Sequence, residues 1–452
     1  MTLEANKTVT LWNDTETAGQ SKLIGTLNLG NGAALAVNNR INKTSDSAVI
    51  DTVVVNGTGT LKEVYGAGYL KVSTLELAAG TTSGTINLTK ASTLNGASYT
   101  AIYELGSASA KTGNFAGEVV LSNVNANNNN HSVFITLAGT DTLAKSVVKM
   151  NTQASSRAYL GLGIMADGAT IAGVESSESL GRNVLLFSGE SKQDCGWNRG
   201  DEDNGHYQLQ NSSVRTLNID VAAGESYAYY GRVLSNLNLV KKGEGTQALY
   251  GSGTGYNGQN FNGSVSVEAG TLIAGHTNAL GTGAISVASG AVLQANAAIT
   301  LSAASQALTL VVGEAQIVPA TATYAALRST DATGTALITS GEGTSGKISV
   351  SGDAVVYVDV SALAGTQSAL SGDTISLQLA TESALDFNNA DAKVGWWDES
   401  GTSWTDWSLA NGYAYDSGSG LLTITIPEPS TFGLLAGLSA LALCVSRRKR
   451  RK

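Results

Sequence analysis

The sequence predicts an all-β solenoid, a chain wound into stacked coils of short strands joined by tight turns. Strand-like runs alternate apolar residues with Thr, Ser or Asn, the period of two expected of a half-buried strand, and helix-period segments are scarce before the C-terminal tail. Glycine is abundant, at 53 of 452 residues, while prolines number 3, which favours turns and excludes collagen-like or polyproline structure. A turn phrase built on Ala-Gly or Ser-Gly recurs, at its closest about twenty residues apart, a plausible coil period. A single coil cannot bury its own inner face, so neighbouring coils must stack and share a core.

Composition narrows the function classes. Apolar residues make up 42% of the chain, too many for a disordered protein, and charged residues only 14%, against about 25% in an average soluble domain. Six of the 27 basic residues and Glu428 lie in residues 427–452, which leaves 21 basic and 35 acidic residues, or −14, on the rest. A body that acidic offers no footprint for nucleic acid. Of the two cysteines, Cys195 stands alone in the body and Cys444 lies in the tail, so no disulfide is expected within the body.

Taken in order, residues 1–389 read as the solenoid body. The chain opens Met1-Thr2-Leu3-Glu4-Ala5-Asn6-Lys7-Thr8, without the basic and apolar regions of a secretory signal peptide. Strands are expected at 8–12, 23–29 and 48–55, then at 347–350 and 354–360. The turn phrases are Ala78-Ala79-Gly80-Thr81, Glu268-Ala269-Gly270-Thr271 and Ala288-Ser289-Gly290-Ala291.

His131, His206 and His276 are far apart and lack the spacing of a metal or nucleophile motif, so each reads as a surface residue. The most polar window runs from Asp194 to His206. Its Asp201, Asp203 and Asn204 before Gly205 make half of a calcium loop without the closing Glu, and Arg199-Gly200-Asp201 is an integrin-type tripeptide. A solvated loop between coils is the preferred reading. No metal, cofactor or catalytic residue is expected.

Residues 231–293 are the clearest repeat-like stretch. They contain Lys241-Lys242-Gly243-Glu244-Gly245-Thr246, then Tyr256-Asn257-Gly258, then Gly270-Thr271-Leu272. This order resembles the autotransporter-associated β-strand repeat. The resemblance implies a right-handed parallel β-helix of the passenger type; a β-sandwich with similar turns is the competing fold. A true autotransporter ends in a membrane barrel of many strands, and nothing after residue 390 is long enough for one.

Residues 390–426 hold Trp396, Trp397, Trp404 and Trp407, followed by Tyr413 and Tyr415. They read as a terminal β segment that caps the open end of the core, or as a row of rings able to stack on sugars.

The final segment, 427–452, begins Pro427-Glu428-Pro429. An apolar run from Phe432 to Val445 follows, and Arg447-Arg448-Lys449-Arg450-Arg451-Lys452 ends it. As a helix, fourteen residues span about 21 Å, short of a hydrocarbon core of about 30 Å. The basic end would stay in the cytoplasm. A plain membrane anchor is one reading. The order of parts resembles the PEP-CTERM sorting signal of Gram-negative bacteria, with Pro427, Glu428 and Pro429 at the matching positions and Arg447 and Arg448 opening the basic end.

That resemblance implies an exported protein whose tail inserts transiently in the inner membrane. It further implies processing by an exosortase, a membrane-embedded cysteine protease or transpeptidase, and an address at the cell surface, outer envelope or extracellular space. Export also implies a signal peptide upstream of this start. The expected function is a structural or adhesive surface or matrix protein, not an enzyme, with extracellular polysaccharide or a host or matrix surface as partner. A glycan-binding module and a β-helix polysaccharide lyase or hydrolase are the alternatives.

Overall fold

A computed structural model describes the chain outside residues 12–21, 38–47, 64–67, 91–99, 108–114, 124–131, 154–158, 190–194, 197–207, 210–212, 252–259, 313–315, 319–325, 330–336, 342–345, 363–373, 382, 388–390, 398–402, 407–412 and 426–452. The described residues are almost entirely strand, and they form two compact units, Met1–Gly283 and Ala284–Lys452.

In the first unit, successive strands go alternately to two parallel sheets. Thr2–Leu3, Lys22–Leu29, Ala48–Val55, Gly68–Leu77 and Thr100–Leu105 lie side by side in one sheet. Thr8–Leu11, Ala33–Val37, Thr58–Glu63, Gly84–Lys90 and Ala116–Asn123 lie side by side in the other. The pairing is in register: Thr8 sits beside Ala34, Ala34 beside Thr60, and Thr60 beside Asn87. Each coil thus contributes one strand to each sheet, an arrangement consistent with a β-solenoid. From residue 226 onward Ser226–Tyr229, Thr246–Leu249 and Thr271–Ala274 build a further parallel sheet.

The period of two decides which side chains are buried. Leu35, Leu61, Leu88 and Leu121 follow one another through consecutive coils, each at most 1% exposed. Their neighbours Thr60 and Asn87 alternate to the outer face and stay half-buried. The column Leu27, Val53 and Leu75 repeats this on the other sheet. Burying such a Leu stabilises the fold by about 1.5–3 kcal/mol, so shared columns of this kind supply the driving force for stacking.

The turn phrases foreseen in the sequence occupy one conformation. Gly80, Gly270 and Gly290 have φ of +84°, +62° and +80°. At two of them the fourth residue closes the turn, Thr81 N–H to Ala78 O at 2.9 Å and Ala291 N–H to Ala288 O at 3.1 Å. A positive φ at the third position defines a type II turn and explains the glycine. Asparagines tie the corners of successive coils together: Asn31 Oδ1 accepts the Thr58 N–H at 3.0 Å, and Asn238 Oδ1 that of Ser264 at 2.9 Å.

The polar window leaves this scheme. Cys195–Gly196 pairs antiparallel with Gln208–Leu209, and the residues between them, with the calcium-like and Arg-Gly-Asp positions, lie outside the described residues.

In the second unit, Ile285–Val287, Leu308–Val311, Val355–Asp359 and Asp391–Trp397 form a parallel sheet that ends in one antiparallel strand, Trp404–Asp406. A separate sheet holds Ala326–Ser329, Thr374–Gln378, Leu421–Thr425 and Tyr413–Asp416, with Leu421–Thr425 antiparallel to the strand on either side of it.

Candidate functional site

Two places are candidates for function, the Trp-rich segment and the tail. The first is built where parallel pairing stops. Strand 391–397 runs parallel to 355–359, placing Lys393 beside Tyr357 and Val394 beside Val358. Val394 is buried, and alternation sets the half-buried Trp396 on the same face as Val394, whereas Lys393 and Trp397 share the outer face. The chain then reverses and sets Trp404 directly opposite Trp397.

Tyr357, Trp397 and Trp404 meet on that outer face. Their ring centroids lie 5.0 Å apart for Tyr357–Trp397, 4.8 Å for Tyr357–Trp404 and 5.2 Å for Trp397–Trp404, with interplanar angles of 49°, 62° and 71°. The Lys393 ammonium sits 5.6 Å from the centre of the Tyr357 ring, within cation–π range. Trp404 Nε1–H donates to Asp406 Oδ1 at 2.8 Å. Rings tilted against one another spend much of their area on mutual contact, while all three stay half-buried. The group thus holds the terminal hairpin and also offers ring surface beside one cation and one carboxylate.

Of the residues singled out in the sequence, the fold brings Trp397 and Trp404 together, and strand alternation turns the half-buried Trp396 to the opposite face; Trp407 lies outside the described residues. Tyr357 and Lys393 were missed. Tyr357 is forty residues upstream of Trp397, and only the strand register, which the sequence does not state, sets it alongside.

Tyr415 stacks on Phe387 at 4.1 Å and 16° and donates its hydroxyl proton to Leu385 O at 3.0 Å. Burial, with Asp386 and Asp416 nearby, pushes the Tyr415 phenol well above its usual range. Tyr413, more exposed, donates to Ala392 O. His276 lies on a surface turn, where its Nδ1 accepts the Asn278 N–H at 3.2 Å, whereas His131 and His206 lie outside the described residues. Among the described residues no cluster of three His, Cys, Asp or Glu side chains is placed to hold a metal ion, and no helix is long and apolar enough to cross a membrane.

The Lys241 turn shows what its motif does locally. Lys241 is 1% exposed, and its Nζ donates to the carbonyls of Lys242 and Gly243, each at 2.7 Å, and of Ala269 in the next coil at 3.1 Å. Burial lowers its pKa from 10.5 to about 8, against the pull of Asp220 and Glu244. A Cβ at Gly245 would stand 2.2 Å from Ala222 O, so the coils approach too closely there for any side chain. The lysine, the glycines and the following threonine strand form one inter-coil device.

The tail's residues, Pro427, Glu428, Pro429, Arg447 and Arg448, with the expected apolar helix, lie outside the described residues. The family model of the PEP-CTERM protein-sorting motif matches residues 425–451. No curated protein and no solved structure matches the chain. The motif marks an exported protein, sorted through a C-terminal signal that an exosortase-type processing enzyme recognises, and destined for the cell surface or extracellular space.

Proposed function

We propose that the protein is a structural, adhesive component of the bacterial surface or extracellular matrix, a right-handed parallel β-helix that displays loops and turns over no substrate. The observation that carries the reading is the union of a sorting motif at 425–451 with long in-register parallel sheets. Stacked coils give a scaffold whose turns can vary while the inner columns stay constant, which suits display. The inward Lys241 and the closely approaching Gly245 support the kinship of 231–293 with the autotransporter-associated β-strand repeat. On this reading the tail inserts transiently in the inner membrane, and an upstream signal peptide starts export.

The test is localisation of the full chain behind a secretory signal peptide, with and without residues 427–452. The intact chain is expected to be shortened and to reach the surface or medium, and the deletion to stall. Equal behaviour of both, with the tail uncut, would overturn the reading.

A second reading, glycan binding, is favoured by the half-buried Tyr357, Trp397 and Trp404 beside Lys393 and Asp406. Rings flanked by polar groups suit the apolar faces and hydroxyls of sugars.

A further inference from the structure

The sorting motif does not begin on a free tail. Its match starts at Thr425, the last residue of the strand Leu421–Thr425, which is paired on both sides. On one side Thr425 lies opposite Thr374 and Leu421 opposite Gln378. On the other, Ile424 lies opposite Tyr413 and Leu421 opposite Asp416. Leu422 and Ile424 are fully buried.

The hairpin that delivers the strand is itself fastened. Asp416 accepts the Gly418 N–H at 3.0 Å and the Ser419 hydroxyl at 2.7 Å, contacts that hold its carboxyl below the usual range. The Gly420 N–H closes on Asp416 O at 2.8 Å, and Gln378 Nε2 donates to Ser419 O at 2.7 Å. The stacked Tyr415 and Phe387 rings hold the other strand of the hairpin.

In sequence, one residue, Ile426, separates this strand from Pro427. An enzyme that reads a linear motif grips it as an extended peptide and uses main-chain groups on either side. Pro427 and Pro429 have no N–H to offer, which puts more of the grip on flanking residues. Upstream of Ile426, the main chain is already committed to two neighbouring strands. An enzyme acting on such a segment works on its opened population.

We propose that the final hairpin is a folding-linked brake on sorting: the processing enzyme acts fastest on chains whose strand 421–425 has not docked. The proposal rests on the sorting role of residues 425–451. Its test follows processing of the full chain, behind a signal peptide in a host with an exosortase-type enzyme, by pulse-chase. One variant carries a flexible Gly/Ser spacer between Thr425 and Ile426, which leaves the strand intact; a second is Ile424→Ser, which loosens it. A third substrate carries residues 426–452 on an unstructured carrier.

The spacer variant and the carrier should be processed faster than the native chain by a factor of about five or more, which is what an opening cost of about 1 kcal/mol imposes on the native strand. Ile424→Ser should follow the same direction. Native and spacer chains processed at one rate, with the carrier also processed, would overturn the brake and leave the sorting role standing. Failure of all substrates, carrier included, would overturn the sorting role and the brake with it.

Discussion

Leu61→Ala is a direct probe of the inner columns. Leu61 is 1% exposed and stands between Leu35 and Leu88, themselves 0% and 1% exposed. Truncation removes three carbons' worth of burial, about 2.4 kcal/mol at about 0.8 kcal/mol per carbon. The neighbours are fixed by backbone pairing from both coils, so little collapse is available. A residual cavity on the order of 60 Å³ adds about 1.4 kcal/mol, for a total of about 4 kcal/mol. Thr60→Ala, one residue away but on the outer face, should cost no more than about 0.5 kcal/mol. Urea denaturation followed by circular dichroism reads both. A Thr60 variant as damaged as the Leu61 one, or a Leu61 variant within about 1 kcal/mol of wild type, would refute the assignment of inner and outer faces.

Further expectations follow from particular side chains. Lys241 titrates at about 8 in the folded chain and near 10.5 when free, so between these values the unfolded chain binds more protons and stability rises with pH. Hydrogen exchange at the Gly245 and Thr271 amides should therefore slow relative to intrinsic rates from pH 8 to 10, a trend absent in Lys241→Met. Trp404→Ala, which breaks both ring contacts and the bond to Asp406, should destabilise the second unit by about 3 kcal/mol if the rings serve as a cap. Loss of retention on a polysaccharide column without loss of stability would instead favour the glycan reading.

Legibility in the sequence followed the range of the interactions. Strands such as 48–55 and 347–350 were readable because alternation is local, and the turn glycines because a positive φ imposes a residue type. Register was not readable. Nothing near Tyr357 says that Lys393 will lie beside it, since parallel pairing joins residues a whole coil or more apart. The split fates of Trp396 and Trp397 were open for the same reason: adjacent residues face opposite sides, and which side is inner depends on the neighbouring strand. Nor did the sequence announce that the strand before the tail would be flanked on both sides, because Thr374–Gln378 reaches it from nearly fifty residues upstream. The tail itself was legible because its order of parts is linear chemistry that requires no fold.

In-register stacking also governs how such a chain can evolve. Ala34, Thr60 and Asn87 occupy equivalent places in successive coils, each paired with the coil before and the coil after. A duplication of one complete turn of the winding would present both old neighbours with the surface they already meet, whereas gain or loss of a residue within a strand would turn the rest of that strand out of its columns. Copy number of whole turns is therefore the cheap variable for this architecture, and relatives should differ from it in multiples of a coil, with irregular insertions confined to the corners between strands.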